Sequence, residues 1–266
     1  MFRDRDAQLM DAIYRVEGDR VTVHPNAAGP WDPRMQHGSA PASLVVWAAE
    51  QIPTAIEMRI ARVTVDLMRP VPLAPLTLQT EMVREGRKIQ LCAVRLFADG
   101  AMVVGATVLK VKKQALSLPA DVAGLPLQLP RPAQSREEKV DFSVSPFVTG
   151  LSLRAARGQF GVPGRGAIWY RVDRSLVEGF AVSQAMRAVV AADFCNGTSA
   201  ALDFRHWTFI NADLTVSMMR EPVGDWILLD AESWIGPEGA GLAMAALADE
   251  RGYFGRVVQS LVIEKR

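Results

Sequence analysis

Asp193 ends the apolar run Ala188-Val189-Val190-Ala191-Ala192. Read as a helix terminus, it sets a carboxylate against the negative end of the helix dipole. That position disfavours the charge and suits a group that must take up a proton. The plainer reading is an exposed aspartate opening a turn with Asn196-Gly197. Gln259 lies in the last strand-like run, in a row with Val257, Leu261 and Ile263. A polar side chain in an apolar row either bonds a backbone group or serves a site. Asn211 shares its row with Asp213, Thr215 and Ser217, opposite the apolar row Ile210, Ala212, Leu214, Val216 and Met218. That parity turns Asn211 to solvent, or toward another part of the chain. His37-Gly38 precedes a helical pattern. Glycine permits close backbone approach and a helix N-terminus favours anions, although a loop residue that packs or caps fits as well.

The common covalent and cofactor chemistries lack their signatures. No GxSxG elbow occurs; His37-Gly38-Ser39-Ala40 and Gly197-Thr198-Ser199-Ala200 do not match it. No GxxxxGK[ST] loop is present, and the glycine clusters at 161–166 and 236–241 sit where turns are expected, not between a strand and a helix. The 3 histidines, His24, His37 and His206, are scattered, so no metal and no cofactor is expected. An enzyme built from this set uses water, or the substrate's own group, as nucleophile.

The elements that must position these residues fall into two similar halves. The 266 residues, 49% of them hydrophobic, suffice for two units of about 100–150 residues each. Apolar spacing predicts a helix over 40–52, after a turn-rich loop. Period-two runs follow at 63–67, 76–83, 89–97 and 102–111, with Asp99-Gly100 as a hairpin turn. Residues 1–114 form the first half. Prolines 119, 126, 130, 132 and 146 mark 115–147 as a linker crossing the surface. Residues 148–266 repeat the plan, with a helix over 182–192 and strand-like runs at 207–218, 226–235, 242–248 and 255–263. Met68-Arg69-Pro70-Val71 falls on Met219-Arg220-Glu221-Pro222, and Ala106 and Ile60 fall on Gln259 and Asn211, so one half keeps the polar set. Each half reads as an α+β layer pair, a helix on an antiparallel meander, and the two can pair edge to edge.

Bulk properties narrow the partners. Lys+Arg 30 against Asp+Glu 29 leaves no charge excess to hold nucleic acid or an anionic membrane. Two cysteines without CxxC spacing, a charged start without an apolar h-region and no membrane-length apolar run predict a cytoplasmic chain.

The strings "WDPRMQHGSAPASLVVWAAE", "VTVDLMRPVPLAPLTLQTEMVREGRKIQL" and, most specifically, "AADFCNG" with the C-terminal strands resemble acyl-CoA thioesterase II-like (TesB-like) double-hotdog proteins. The resemblance implies a tandem double hotdog, each half a curved antiparallel sheet around a long helix. It implies hydrolysis of an acyl-CoA to free acid and coenzyme A, in fatty-acid metabolism. It puts the family's catalytic Asp and Gln on Asp193 and Gln259, and its Thr/Ser on Asn211, a departure that removes the hydroxyl. Substrate contacts are expected at His37, Gly38, Met186 and Val190, with the acyl chain in an apolar slot beside the second helix. Two alternatives stand beside hydrolysis. One is a catalytically weak acyl-CoA or acyl-carrier binding protein. The other is a CoA-ester hydratase, against which Thr198 stands five residues after Asp193 where an Asp-x4-His pattern would be required. A homo-oligomer remains compatible with a tandem pair.

Overall fold

The computed structural model describes residues 12–119, 122, 124, 126–139 and 145–266. The charged start of the chain and parts of the linker lie outside the described residues. In chain order the elements are β1 (Tyr14–Glu17), β2 (Arg20–Val23), α1 (Ser39–Gln51), β3 (Met58–Leu67), β4 (Leu76–Glu85), β5 (Ile89–Ala98) and β6 (Ala101–Lys112). After the linker come β7 (Arg136–Glu137), β8 (Leu151–Arg157), β9 (Gly166–Val172), α2 (Gln184–Asp193), α3 (Cys195–Thr198), β10 (Trp207–Asn211), β11 (Asp213–Met218), β12 (Trp226–Ile235), β13 (Ala240–Asp249) and β14 (Gly252–Lys265).

The strands form one sheet in the order β1-β2-β4-β5-β6-β3-β11-β14-β13-β12-β9-β8-β7, with β10 also on β14. The halves join edge to edge where β3 meets β11 antiparallel, Thr64 opposite Thr215. This pairing satisfies two rows of backbone groups that would otherwise be open edges. Helices α1 and α2 pack on each other inside the sheet. Every residue of α1 from Ser39 to Ala49 is buried, as a helix enclosed on all sides requires. Pro41 is tolerated in its first turn, where a missing N–H costs nothing. Helix α2 starts at Ser183, whose hydroxyl accepts the Met186 N–H at 3.1 Å.

Both helices lie within two residues of their predicted spans. The predicted run 207–218 is split by a bulge at Ala212. The hairpins β1/β2 and β8/β9 are additions that the sequence reading did not contain. They place strands before each helix as well as after it.

A constant offset of 151 residues, Thr64 to Thr215, relates the halves: Thr64–Thr107 maps onto Thr215–Val258 and Ile60–Lys110 onto Asn211–Leu261. Ile60 therefore corresponds to Asn211 as expected. Val108, not Ala106, corresponds to Gln259, because the register fixes the β6/β14 match two residues further along than the string comparison did.

The β13–β14 hairpin that carries Gln259 is pinned at its turn by Asp249. Its carboxylate is fully buried and accepts from Arg220 at 2.8 Å, and from the Val223 and Arg251 amides at 2.8 Å each. Burial alone would raise its pKa; Arg220 and the two amides outweigh it and hold the carboxyl below the usual range. A depressed folded-state value stabilises above the unfolded pKa of about 3.9 and is lost as pH falls through the folded value. Asp249→Asn is expected to cost about 2–3 kcal/mol near pH 7, less than a fully buried pair because Arg220 reaches solvent. The deficit should vanish in acid; urea melts at neutral pH and below pH 3 check this.

Among the described residues no helix is long and apolar enough to cross a membrane, and no three His, Cys, Asp or Glu side chains converge as a metal site. Cys92 and Cys195 are free and buried.

Candidate active site

Helix α2 ends at Asp193, and its carboxylate meets the start of α1. The residue is 5% exposed. Oδ1 accepts the Asn211 Nδ2–H at 3.0 Å, and Oδ2, at 3.0 Å, shares the single Ser39 hydroxyl hydrogen with the Val190 carbonyl. His37 Nδ1 lies 3.1 Å from Oδ2. A Cβ on Gly38 would sit 2.7 Å from Oδ1 and 2.9 Å from Oδ2. Glycine is required here by contact rather than by backbone angle, since its φ is an ordinary −56°. The α1 N-terminus supplies the positive pole that Asp193's own helix denies it. The site therefore exists only where the halves meet.

Asn211 reaches the carboxylate because of the bulge at Ala212. Strand β10 pairs Asn211 with Leu261, whereas β11 pairs Thr215 with Val258, one residue out of step. The extra residue reverses the parity. Asn211 consequently shares the inner face with buried Phe209 on one side and Leu214, Val216 and Met218 on the other. Ile210, assigned to the apolar row, is 43% exposed. The alternating pattern had placed Asn211 with Asp213 and Thr215; the bulge corrects that.

Gln259 is fully buried on β14 among Val257, Leu261 and Ile263. Its Nε2 donates to the Asp193 backbone carbonyl at 3.2 Å, capping the end of α2. Its Oε1 is buried without a partner among the described residues. A buried acceptor left open on a side chain tied to the Asp193 backbone is a place for a small donor.

The loop before α1 is tied down. Gln36 donates from its amide to Pro72 O at 2.7 Å and accepts from the Tyr14 hydroxyl. His37 N–H bonds Ala27 O at 2.8 Å. The imidazole stacks between Phe147, 5.0 Å away, and Phe194, 4.6 Å away. Ser39, Phe147 and Phe194 escaped the sequence reading; Ser39 was considered only as part of a failed nucleophile elbow. Val190 and Met186 are buried in the core on α2, where the Val190 carbonyl accepts from Ser39 at 3.1 Å. Their side chains have no open surface, so no slot beside them is open in this state. An open groove lined by Ala61, Ser217, Met219 and Arg256 shares no residue with the Asp193 cluster.

Sequence comparison decides the family. The acyl-CoA thioesterase N-terminal domain matches residues 27–111 and the acyl-CoA thioesterase C-terminal domain matches residues 119–263. The chain belongs to the acyl-CoA thioesterase family. Solved structures share its fold, the double hotdog. A putative thioesterase II from Thermobifida fusca is 14% identical with TM-score 0.73, over 98% of this chain and 97% of that one. A putative thioesterase from Novosphingobium aromaticivorans is 21% identical with TM-score 0.70, over 94% and 98%. The tesB protein of Mycobacterium avium subs paratuberculosis is 16% identical with TM-score 0.69, over 99% and 100%. No curated protein matches the sequence.

Gly38→Ala tests the approach of the halves in this thioesterase-family chain. The added methyl must push the carboxylate aside, and turnover is expected to fall about 100-fold, as for an approximately 1 Å misplacement. Thiol release beside a thermal melt separates that loss from unfolding.

Proposed function

We propose that the chain hydrolyses an acyl-CoA thioester to free acid and coenzyme A with an activated water. The open Gln259 Oε1, on a side chain whose amide bonds the Asp193 backbone carbonyl, carries this reading. A water seated there gives one hydrogen to Gln259 Oε1 and the other to Asp193. Asp193 takes that second proton as general base while the water oxygen forms its bond to the thioester carbonyl. Asn211, donating to Oδ1, orients the carboxylate rather than relaying a proton. The carbonyl oxygen gains charge and is best placed toward the N-terminal turn of α1, whose dipole favours a negative oxygen. The C–S bond then breaks. Thiolate is a far better leaving group than an amine, so no covalent nucleophile is needed. Val190 and Met186 flank the path for the acyl chain, which enters by displacing core packing beside α2. Surface Lys and Arg side chains would meet the coenzyme A phosphates.

A weak binding protein is the second reading, favoured by Asn211: its amide is spent on Asp193, and a hydroxyl is missing where the family resemblance implies one. The hydratase reading loses support, because Thr198 is buried and its hydroxyl is engaged with Tyr170 at 2.8 Å. Thiol release from short, long, branched and aromatic acyl-CoAs tests the proposal. Saturable turnover on one class is expected; tight binding with no turnover on every ester would replace hydrolysis with binding.

A further inference from the structure

His37 was expected to touch substrate, yet its nearest partner is the carboxylate. Nδ1 stands 3.1 Å from Asp193 Oδ2, while the Ser39 backbone N–H points at the same nitrogen from 3.2 Å. Nδ1 cannot donate to one and accept from the other. A charge-assisted bond to a carboxylate is about twice as strong as a neutral one. A bare nitrogen would instead turn its lone pair toward the negative oxygen. A proton on Nδ1 takes this acceptor from the Ser39 N–H in the first turn of α1, a neutral bond that the charge-assisted one outweighs. The proton therefore belongs on Nδ1, directed at Oδ2.

The ring is held to deliver it. Phe147 covers one face with planes 13° apart and Phe194 the other with planes 29° apart. Tyr170 stacks in turn on Phe194 at 4.9 Å. The stack runs from the end of the linker through the first half to β9. Tilting the imidazole out of this plane would break two aromatic contacts, each worth about 0.5–1.5 kcal/mol. The side chain is 11% exposed, so little water competes for Nδ1.

We propose that His37 is a positioning residue of this site, acting on Oδ2 as Asn211 acts on Oδ1. Its Nδ1–H, clamped in plane by Phe147 and Phe194, holds Asp193 Oδ2 and leaves Oδ1 turned to the water. This rests on the hydrolytic reading above. His37 acts through Asp193 and takes no proton from the substrate.

Two variants separate the bond from the stack. His37→Phe keeps a ring between Phe147 and Phe194 and removes the donor; His37→Asn keeps a donor near the Nδ1 position and removes the ring. The expected result for His37→Phe is a kcat about 10- to 100-fold lower with KM within about twofold, the mark of lost alignment. His37→Asn should recover at least about tenfold of that loss. A His37→Phe enzyme with wild-type kcat, or one that outperforms His37→Asn, would overturn the proposal. Nitrogen-15 NMR of the wild-type chain, with only 3 histidines to assign, gives a second readout independent of turnover and of variant folding. A protonated Nδ1 at His37 is expected, and a bare Nδ1 sinks the proposal. If no thioester is turned over by the wild type, the hydrolytic reading fails, and the NMR signal still decides the His37–Asp193 bond.

Discussion

Asp193→Asn is expected to lower thioester turnover about 10²- to 10⁴-fold, the range a general base contributes. The substitution is nearly isosteric, so the meeting of α1 and α2 persists. The new amide retains one acceptor for the three donors at Asn211, Ser39 and His37, and presents a donor to the rest. That mismatch costs about 1–3 kcal/mol of stability. Thiol-release kinetics with a thermal melt check both parts. A variant that folds and keeps full turnover removes Asp193 from the reaction.

Gln259→Leu carries the second large effect. Leucine fits the apolar row of β14, where Val257, Leu261 and Ile263 already sit. It removes the open Oε1 and with it the seat proposed for the water. It also strips the Asp193 carbonyl of its donor, at about 1 kcal/mol. The expected change is a kcat lower by about 100-fold with KM nearly unchanged, because the lost contact is to water and not to substrate. A proportional rise in KM with kcat intact would mean that Gln259 holds the acyl-CoA instead.

The two large effects fall on residues legible in the sequence for different reasons. Gln259 was visible because strand parity survives along β14 and an amide in an apolar row stands out. Asp193 was visible as a charge closing an apolar helix, but its setting was misjudged. The helix pattern shows the dipole of α2 and cannot show α1, which meets the carboxylate from 154 residues away in sequence. Asn211 was hidden by one residue: Ala212 bulges, and every alternation argument across it reverses. The same bulge recurs at Ala61 in β3, so the offset between halves, once registered, would have exposed it. The long strands were readable because each has its own period-two stretch. Strands β1 and β2, four residues each, are too short to show a period. Strand β9 is almost wholly buried and shows none. The stack of Phe147, His37, Phe194 and Tyr170 draws on four separate segments, and no local pattern announces it.

The most direct test is a single turnover of an acyl-CoA in ¹⁸O-labelled water, with enzyme in excess and the released acid analysed by mass. Direct attack by the water held between Gln259 and Asp193 puts one ¹⁸O into the acid on the first turnover, and Asp193→Asn slows that turnover by the same roughly 10²- to 10⁴-fold. Unlabelled acid with ¹⁸O in the Asp193 carboxylate would mean that Asp193 attacks the thioester itself, and would contradict the water mechanism.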